Sequence, residues 1–130
     1  MSERLKLARV ARAMILVAVA YAVIGIVFPV LGWRLAAWVA SAVVAAAHIG
    51  YEHYRLDSPP RPTALHAAGA VALGAFGLAL AANVHWLFAE TRGPRPPLLA
   101  LPVWPVITAI PAFLAALAAA AALARFSRRA

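Results

Sequence analysis

Hydrophobic residues fall into four long runs along this chain, separated by short segments that carry proline, glycine and charge. The runs cover about 11–31, 35–54, 63–89 and 98–124. A helix needs roughly 20 mostly apolar residues to cross a hydrocarbon core ~30 Å thick. Each run is long enough, and little of the chain is left over for a soluble domain. The pattern therefore predicts a single all-α membrane domain, a four-transmembrane-helix antiparallel bundle.

The second run differs from the others because polar side chains recur along it. At alternating steps of four and three residues, these positions lie on one side of a single helix. We call them the polar stripe: Arg34, Trp38, Ser41, Ala45, His48, Glu52 and Arg55. Polar groups are costly against lipid. The stripe is therefore expected to face protein or water inside the bundle.

Basic residues give the predicted bundle a direction. The formal net charge is +8, with 12 Lys and Arg against 4 Asp and Glu. If the helices alternate, most basic residues share one side: Arg4, Lys6, Arg9, Arg12, Arg55, Arg61, Arg125, Arg128 and Arg129. The other side carries Arg34, Arg92 and Arg95. The positive-inside rule then predicts a multi-pass protein of the cell membrane with both termini cytoplasmic, its basic side near anionic lipid headgroups.

Small residues dominate the third run and let membrane helices approach closely. One face holds Ala67, Ala70, Gly74, Gly77 and Ala81, with His85 continuing it. An adjoining face holds Ala68, Ala72, Ala75, Ala79 and Ala82, and the opposite side holds Leu73, Phe76, Leu80 and Leu87. We therefore expect a central third helix that is flanked on two sides, with Asn83 directed toward headgroups.

Prolines shape the predicted loops. Residues 55–62 contain three of them and are expected to be stiff and non-helical, with Thr63 capping the third helix. Further prolines at 102, 105 and 111 predict a kinked or partly unwound start of span four. One face of that span is expected to turn inward: Trp104, Thr108, Pro111, Ala115, Ala118 and Ala122.

Helical spacing arranges the candidate binding or pathway residues at two levels. The level near the basic side holds Tyr21, His48, Glu52 and Arg55. The other level holds Arg34, His85, Trp104 and Thr108, and Ser41 lies between the two. These levels are where a solute or ion is expected to bind.

His48 and Glu52 are neighbours on one helix face because they are four residues apart. The carboxylate can orient the imidazole or share a proton with it, and Arg55 can neutralise it. The pair fits a proton-linked site, a ligand clamp or a metal site, and it also fits a structural salt bridge. With His66 as a further ligand, a zinc site formed by His48, Glu52 and His66 is conceivable. A haem held by His48 and His66 is also conceivable. The spacing matches no tight metal motif, so neither a metal nor another cofactor is expected.

Three functions stay open from these patterns. The leading one is a membrane-embedded binding or permeation site for a small solute or ion. The second is a non-catalytic accessory subunit of a larger membrane complex, and a homo-oligomer is also compatible. The third is a membrane enzyme that acts on a lipid-like substrate through His48 and Glu52. Catalysis is the less favoured, because the chain has no cysteine, no nucleotide-binding glycine loop and no hydrolase motif. Nucleic acid is not an expected partner, since no basic soluble face exists.

Overall fold

The computed structural model describes residues 2–91 and 96–127, and this part of the chain forms four α-helices. They are α1 (Glu3–Val30), α2 (Arg34–Leu56), α3 (Pro60–Phe88) and α4 (Ala100–Ser127). All four are long and apolar enough to cross a membrane. The prediction of an all-α chain with four candidate membrane spans is confirmed. The largest difference from the predicted runs is at α1, which begins at Glu3 and so includes the basic segment.

Consecutive helices run in opposite directions. Only residues 31–33 join α1 to α2, and only residues 57–59 join α2 to α3. The side chain of Met14 lies against Gly69, and that of Ala22 lies near Gly77, so α1 and α3 are parallel. The cluster that places Ala64 of α3 with Ala120 of α4 shows that these two helices are antiparallel.

The two ends of the bundle differ in composition. The basic end is where α1 and α3 begin and α2 and α4 end, and it carries Arg4, Lys6, Arg9, Arg12, Arg55, Arg61 and Arg125. The tryptophan end is the other one, and it carries Trp33, Trp38, Trp86 and Trp104 together with Arg34. The remaining basic positions of the predicted charge pattern, Arg92, Arg95, Arg128 and Arg129, lie outside the described residues.

The central helix is α3, as predicted. It contacts the three other helices, most extensively α4 and then α1, while α2 makes smaller contacts with α3 and α4. Small residues allow this position: a Cβ atom on Gly74 would lie 2.8 Å from Cβ of Tyr21 and 3.1 Å from the Ala18 carbonyl oxygen. Leu73 and Leu80 are exposed on the opposite side, in agreement with the predicted outward face.

The connection between α2 and α3 is shorter than the prolines predicted. Asp57 adopts a left-handed conformation with φ 48°, and the Ser58 N–H donates to the Glu52 carbonyl oxygen at 3.1 Å, which ends α2. Pro60 then begins α3. The predicted non-helical segment is therefore confirmed for residues 57–59 and wrong for residues 55–56 and 60–62. At the start of α3 the reason is that a proline in the first turn of a helix has no N–H that the helix needs. Thr63 does not cap α3, since it lies inside the helix and its N–H donates to the Pro59 carbonyl oxygen at 3.2 Å.

Within residues 96–127, α4 is helical from Ala100 through Pro105 and Pro111. The predicted unwinding of this segment is therefore wrong. The predicted inward face is also wrong over the second half of α4, where Ala118 and Ala122 are exposed while Ala116 and Ala120 are buried. Alanine occupies nearly every side of this half, so its spacing could not distinguish the packed face from the exposed one.

Candidate functional site

A buried network of three side chains joins α2 to α3 near the basic end. The His48 Nε2–H donates to Glu52 Oε1 at 3.1 Å. The His66 Nδ1–H donates to Glu52 Oε2 at 2.8 Å and to Oε1 at 3.0 Å. Glu52 is 0% exposed and His48 is buried, whereas the His66 side chain keeps 29% of its surface exposed. The network therefore reaches the surface only through His66.

The Glu52 carboxylate is satisfied by histidines rather than by arginine. A buried carboxylate needs hydrogen-bond donors and a compensating charge nearby. Across the described residues, both ion pairs of Glu52 are with imidazoles. Arg55 is exposed in the last turn of α2 and forms no ion pair with Glu52. Arg55, which the sequence offered as a possible neutralising charge, does not pair with Glu52, because a long basic side chain at a helix end can keep its charge in water.

Within the described part of the chain, His48 Nδ1 is buried and has no hydrogen-bond partner. The other ring nitrogen, Nε2, is the one hydrogen-bonded to Glu52. The imidazole is therefore satisfied on one side only, and a buried polar atom without a partner costs free energy.

The three side chains considered for a zinc site do meet, but they face one another. Each histidine directs a ring nitrogen to the Glu52 carboxylate itself, so these nitrogens are used in hydrogen bonds to it. No group of three His, Asp or Glu side chains in residues 2–91 and 96–127 could hold a metal ion. The same contacts disfavour a haem between His48 and His66. The arrangement fits a clamp that shares a proton or holds α2 against α3.

A cavity of about 540 Å³ lies in the half of the bundle toward the tryptophan end. All four helices contribute to its walls, which include Tyr21 and Gly25 of α1, Trp38 and Ser41 of α2, Leu78 of α3, and Trp104 and Thr108 of α4. Ligand sites in proteins usually enclose about 300–1,000 Å³ and have mainly apolar walls. The cavity has the size and lining of a site for a small molecule.

The cavity is elongated along α4. Its lining on this helix extends from Trp104 to Ala115. At ~1.5 Å per residue this distance is about 16 Å. Both tryptophans of the lining are exposed, Trp38 with 78% and Trp104 with 50% of its surface. The cavity is therefore open to the surroundings of the bundle near its tryptophan end.

The wall of the cavity ends before the buried network begins. The lining on α2 ends at Ser41 and Ala42, about two turns before His48. Ala45, between them on the polar stripe, is partly buried and does not line the cavity. One turn beyond it, Ile49 packs in a buried cluster with Ala64, Ala67, Ala116 and Ala120. The polar stripe is thus divided into a cavity wall and a sealed network.

Three hydroxyl groups lie along the otherwise apolar walls. The Thr108 hydroxyl donates to the carbonyl oxygens of Trp104 at 2.8 Å and Pro105 at 3.1 Å, so its donor is already used. Tyr21 and Ser41 are half-buried and form no side-chain hydrogen bond with the described residues. Their hydroxyl groups are free to bind a guest molecule in the cavity.

Two predicted site residues lie outside the cavity wall. Arg34 is the first residue of α2 and is exposed, one turn from Trp38 on the same helix face. His85 is exposed near the end of α3 and does not line the cavity, although it continues the row of Gly74 and Gly77. Of the predicted second level, only Trp104 and Thr108 therefore share the cavity.

Sequence reasoning misplaced Asn83. Its Nδ2–H groups donate to the Ala79 carbonyl oxygen at 2.8 Å and to the Pro97 carbonyl oxygen at 3.1 Å, and the residue is buried. Asn83 thus ties the end of α3 to the segment before α4, and the headgroup position predicted for it is wrong. A signal was present, because Ala75, Ala79 and Asn83 follow at steps of four on the buried face.

A second contact at the basic end, between α2 and α4, could not be predicted from the sequence pattern. The His53 Nε2–H donates to Ser127 Oγ at 3.0 Å, and the Ser127 hydroxyl donates to the Leu123 carbonyl oxygen at 2.9 Å. This contact joins the last turns of α2 and α4. The two residues are 74 positions apart, and their proximity depends on how the helices are arranged.

No known protein family, curated protein or solved structure matches the chain. The chain can therefore be described only by its own fold and site. The described chain is an all-α bundle of four candidate membrane spans, with an open apolar cavity toward one end and a sealed His–Glu–His network toward the other.

Proposed function

We propose that this chain is a multi-pass membrane protein that binds a small apolar or amphipathic molecule in the cavity between its four helices. The observation that carries the proposal is a cavity of about 540 Å³ whose walls are mainly apolar and aromatic and come from every helix. A concave apolar site with a few hydroxyl groups is typical of small-molecule binding. Tyr21 and Ser41 would orient the guest.

The proposed orientation places the basic end in the cytoplasm. Seven basic residues of the described chain lie at that end, against Arg34 at the other, and the positive-inside rule favours this arrangement. Anionic headgroups of the inner leaflet would contact this surface. Tryptophans at the opposite end suit the interfacial aromatic belt. The cavity then lies in the half of the bilayer away from the cytoplasm, where lipid-soluble molecules can reach it.

Binding is favoured over permeation because the polar groups do not form a continuous path. A conducting path needs polar groups that reach water inside the bundle. Glu52 is 0% exposed, His48 is buried, and neither residue lines the cavity. The enzyme hypothesis meets the same obstacle, since a substrate in the cavity would stop at Ser41, short of His48.

Native mass spectrometry of the purified protein tests the proposal, together with identification of the molecules extracted from it. The wild-type chain is expected to carry a small lipophilic molecule. Ala42→Trp is expected to lose it, because Ala42 lines the cavity and is exposed, so the indole fills the open space without displacing a buried contact. Ala47→Trp is the matched control, since Ala47 is exposed on α2 and does not line the cavity.

Two results would contradict the proposal. One is equal occupancy in Ala42→Trp and in wild type, which would place the molecule elsewhere. The other is a wild-type chain that stays empty even after exposure to total membrane lipids. If such an empty chain purified together with a second protein, the accessory-subunit hypothesis would be favoured instead.

A further inference from the structure

Among the described residues, Arg34 is a positive charge without an acidic partner, one helical turn beyond the cavity wall. It is exposed, and the first turn of α2 contains no acidic residue. The acidic residue at this end of the bundle, Glu90, is exposed and forms no ion pair with Arg34 among the described residues. The N-cap residue Trp33 makes no side-chain capping bond, so the amides of the first turn add to the positive potential.

One face of α2 connects this charge to the cavity. Trp38 and Ser41 line the cavity, and Arg34 precedes them on the same face. From residue 34 to residue 41 the helix rises about 10 Å. Along α4 the apolar walls continue for about 16 Å, from Trp104 to Ala115. Arg34 thus lies one helical turn beyond the wall of a long apolar cavity, on the side toward the tryptophan end.

Resting on the proposed binding function, we infer that the guest is an anionic single-chain amphiphile, of which a fatty acid is the simplest form. Its chain lies in the cavity and its head pairs with Arg34. A carboxylate head would add a charge-assisted contact with Arg34 that an uncharged molecule cannot make, and a small soluble anion would leave the apolar cavity without an occupant. Guanidinium and carboxylate groups form strong charge-assisted hydrogen bonds.

An extended chain suits the shape of the cavity, whose mainly apolar walls continue for about 16 Å along α4.

The test uses a polyene fatty acid, cis-parinaric acid, and its uncharged methyl ester, with the protein in bilayer discs of zwitterionic lipid. Trp38 and Trp104 lie in the cavity wall, so energy transfer from tryptophan to the polyene reports binding. Arg34→Gln is expected to weaken binding of the acid about tenfold and to leave binding of the ester unchanged. Arg61→Gln, an exposed change at the basic end, is expected to affect neither probe.

The outcomes separate this inference from the proposed function. If both probes bind and Arg34→Gln leaves both affinities unchanged, or lowers both equally, the inference about the anionic head is overturned and the cavity still binds apolar molecules. If neither probe binds, or if Ala42→Trp leaves both bound, the inference and the proposed function fail together. Selective loss of the acid in Arg34→Gln supports both.

Discussion

At the residue scale, Glu52 is the group whose environment most constrains this fold. It is 0% exposed and accepts hydrogen bonds from His48 and His66. Glu52→Gln keeps the shape but removes the charge and directs an amide N–H at one of these donors. We expect it to lower the free energy of unfolding by about 1–3 kcal/mol, measured by thermal or denaturant unfolding in mild detergent.

Asp57→Asn is the matched control for this carboxylate-to-amide change. Asp57 is exposed and left-handed, a conformation that asparagine also tolerates, so stability should stay near that of wild type. If Glu52→Gln proved as stable as Asp57→Asn, the buried network would not contribute to holding α2 against α3.

Helical spacing predicted the contact within α2, between His48 and Glu52, but not the contact between α2 and α3, from His66 to Glu52. His48 and Glu52 are one turn apart, so their contact follows from helical geometry alone. The sequence indicated His66 only as a conceivable metal ligand, and it indicated Arg55 as a possible partner of Glu52. In the structure, His66 contacts Glu52 and Arg55 is exposed. The choice between them depends on where α2 ends at Asp57 and α3 begins at Pro60, which the prolines obscured.

At the scale of elements, Gly74 and Gly77 make different contacts with α1. A Cβ atom on Gly74 would lie 2.8 Å from Cβ of Tyr21 and 3.1 Å from the Ala18 carbonyl oxygen, and neither atom belongs to a flexible chain end. Gly74→Ala is therefore expected to separate the helices and to destabilise the bundle by about 1–3 kcal/mol. The measurement is the unfolding free energy in mild detergent.

Gly77→Ala provides the comparison on the same helix. Its added methyl group would lie 3.7 Å from Cβ of Ala22, an ordinary van der Waals distance. Stability should be unchanged or rise by up to ~1 kcal/mol, because alanine favours helix more than glycine does. Equal stability of the two variants would mean that α1 does not approach α3 most closely at Gly74.

The positions of the helices in the sequence were largely predictable, but which helices and faces pack together was predictable only in part. Apolar runs located all four, and small residues such as Ala70 and Gly74 placed α3 at the centre. For α4, the alanines at 116, 118, 120 and 122 are alike in size, so pattern alone could not select its packed face. Residues 60–62 were assigned to a loop because proline disfavours helix interiors, whereas here they start one.

At the scale of the whole molecule, the cavity is the feature that the sequence could not predict. Its walls combine Tyr21, Trp38, Leu78 and Trp104, each from a different helix. Helical spacing placed Trp38 and Ser41 on the same face as His48 and Glu52, which indicated one continuous polar interior. The arrangement of the helices divides that face, because Ser41 lines the cavity whereas His48 and Glu52 are buried and do not line it.

The central claim is that the cavity is open and the polar network is sealed from it. The chain has no cysteine, so single cysteines placed along the polar stripe can be modified one at a time. The most direct measurement is the rate at which N-ethylmaleimide, a small permeant thiol reagent, modifies Ser41→Cys, Ala45→Cys and His48→Cys in native membranes. Thr91→Cys, labelled in intact cells by an impermeant reagent, serves as the control for orientation, since Thr91 is exposed beyond α3.

The account predicts rapid modification of Ser41→Cys, which lines the cavity, and slow modification of Ala45→Cys and His48→Cys until the protein is denatured. Ala45→Cys is the control for His48→Cys, because removing the imidazole could itself open the bundle to the reagent. The change at Ala45 only adds a sulfur atom to the side chain. Equally rapid modification of all three positions would reveal a continuous path along α2 and contradict the sealed network. An unreactive Ser41→Cys would contradict the open cavity.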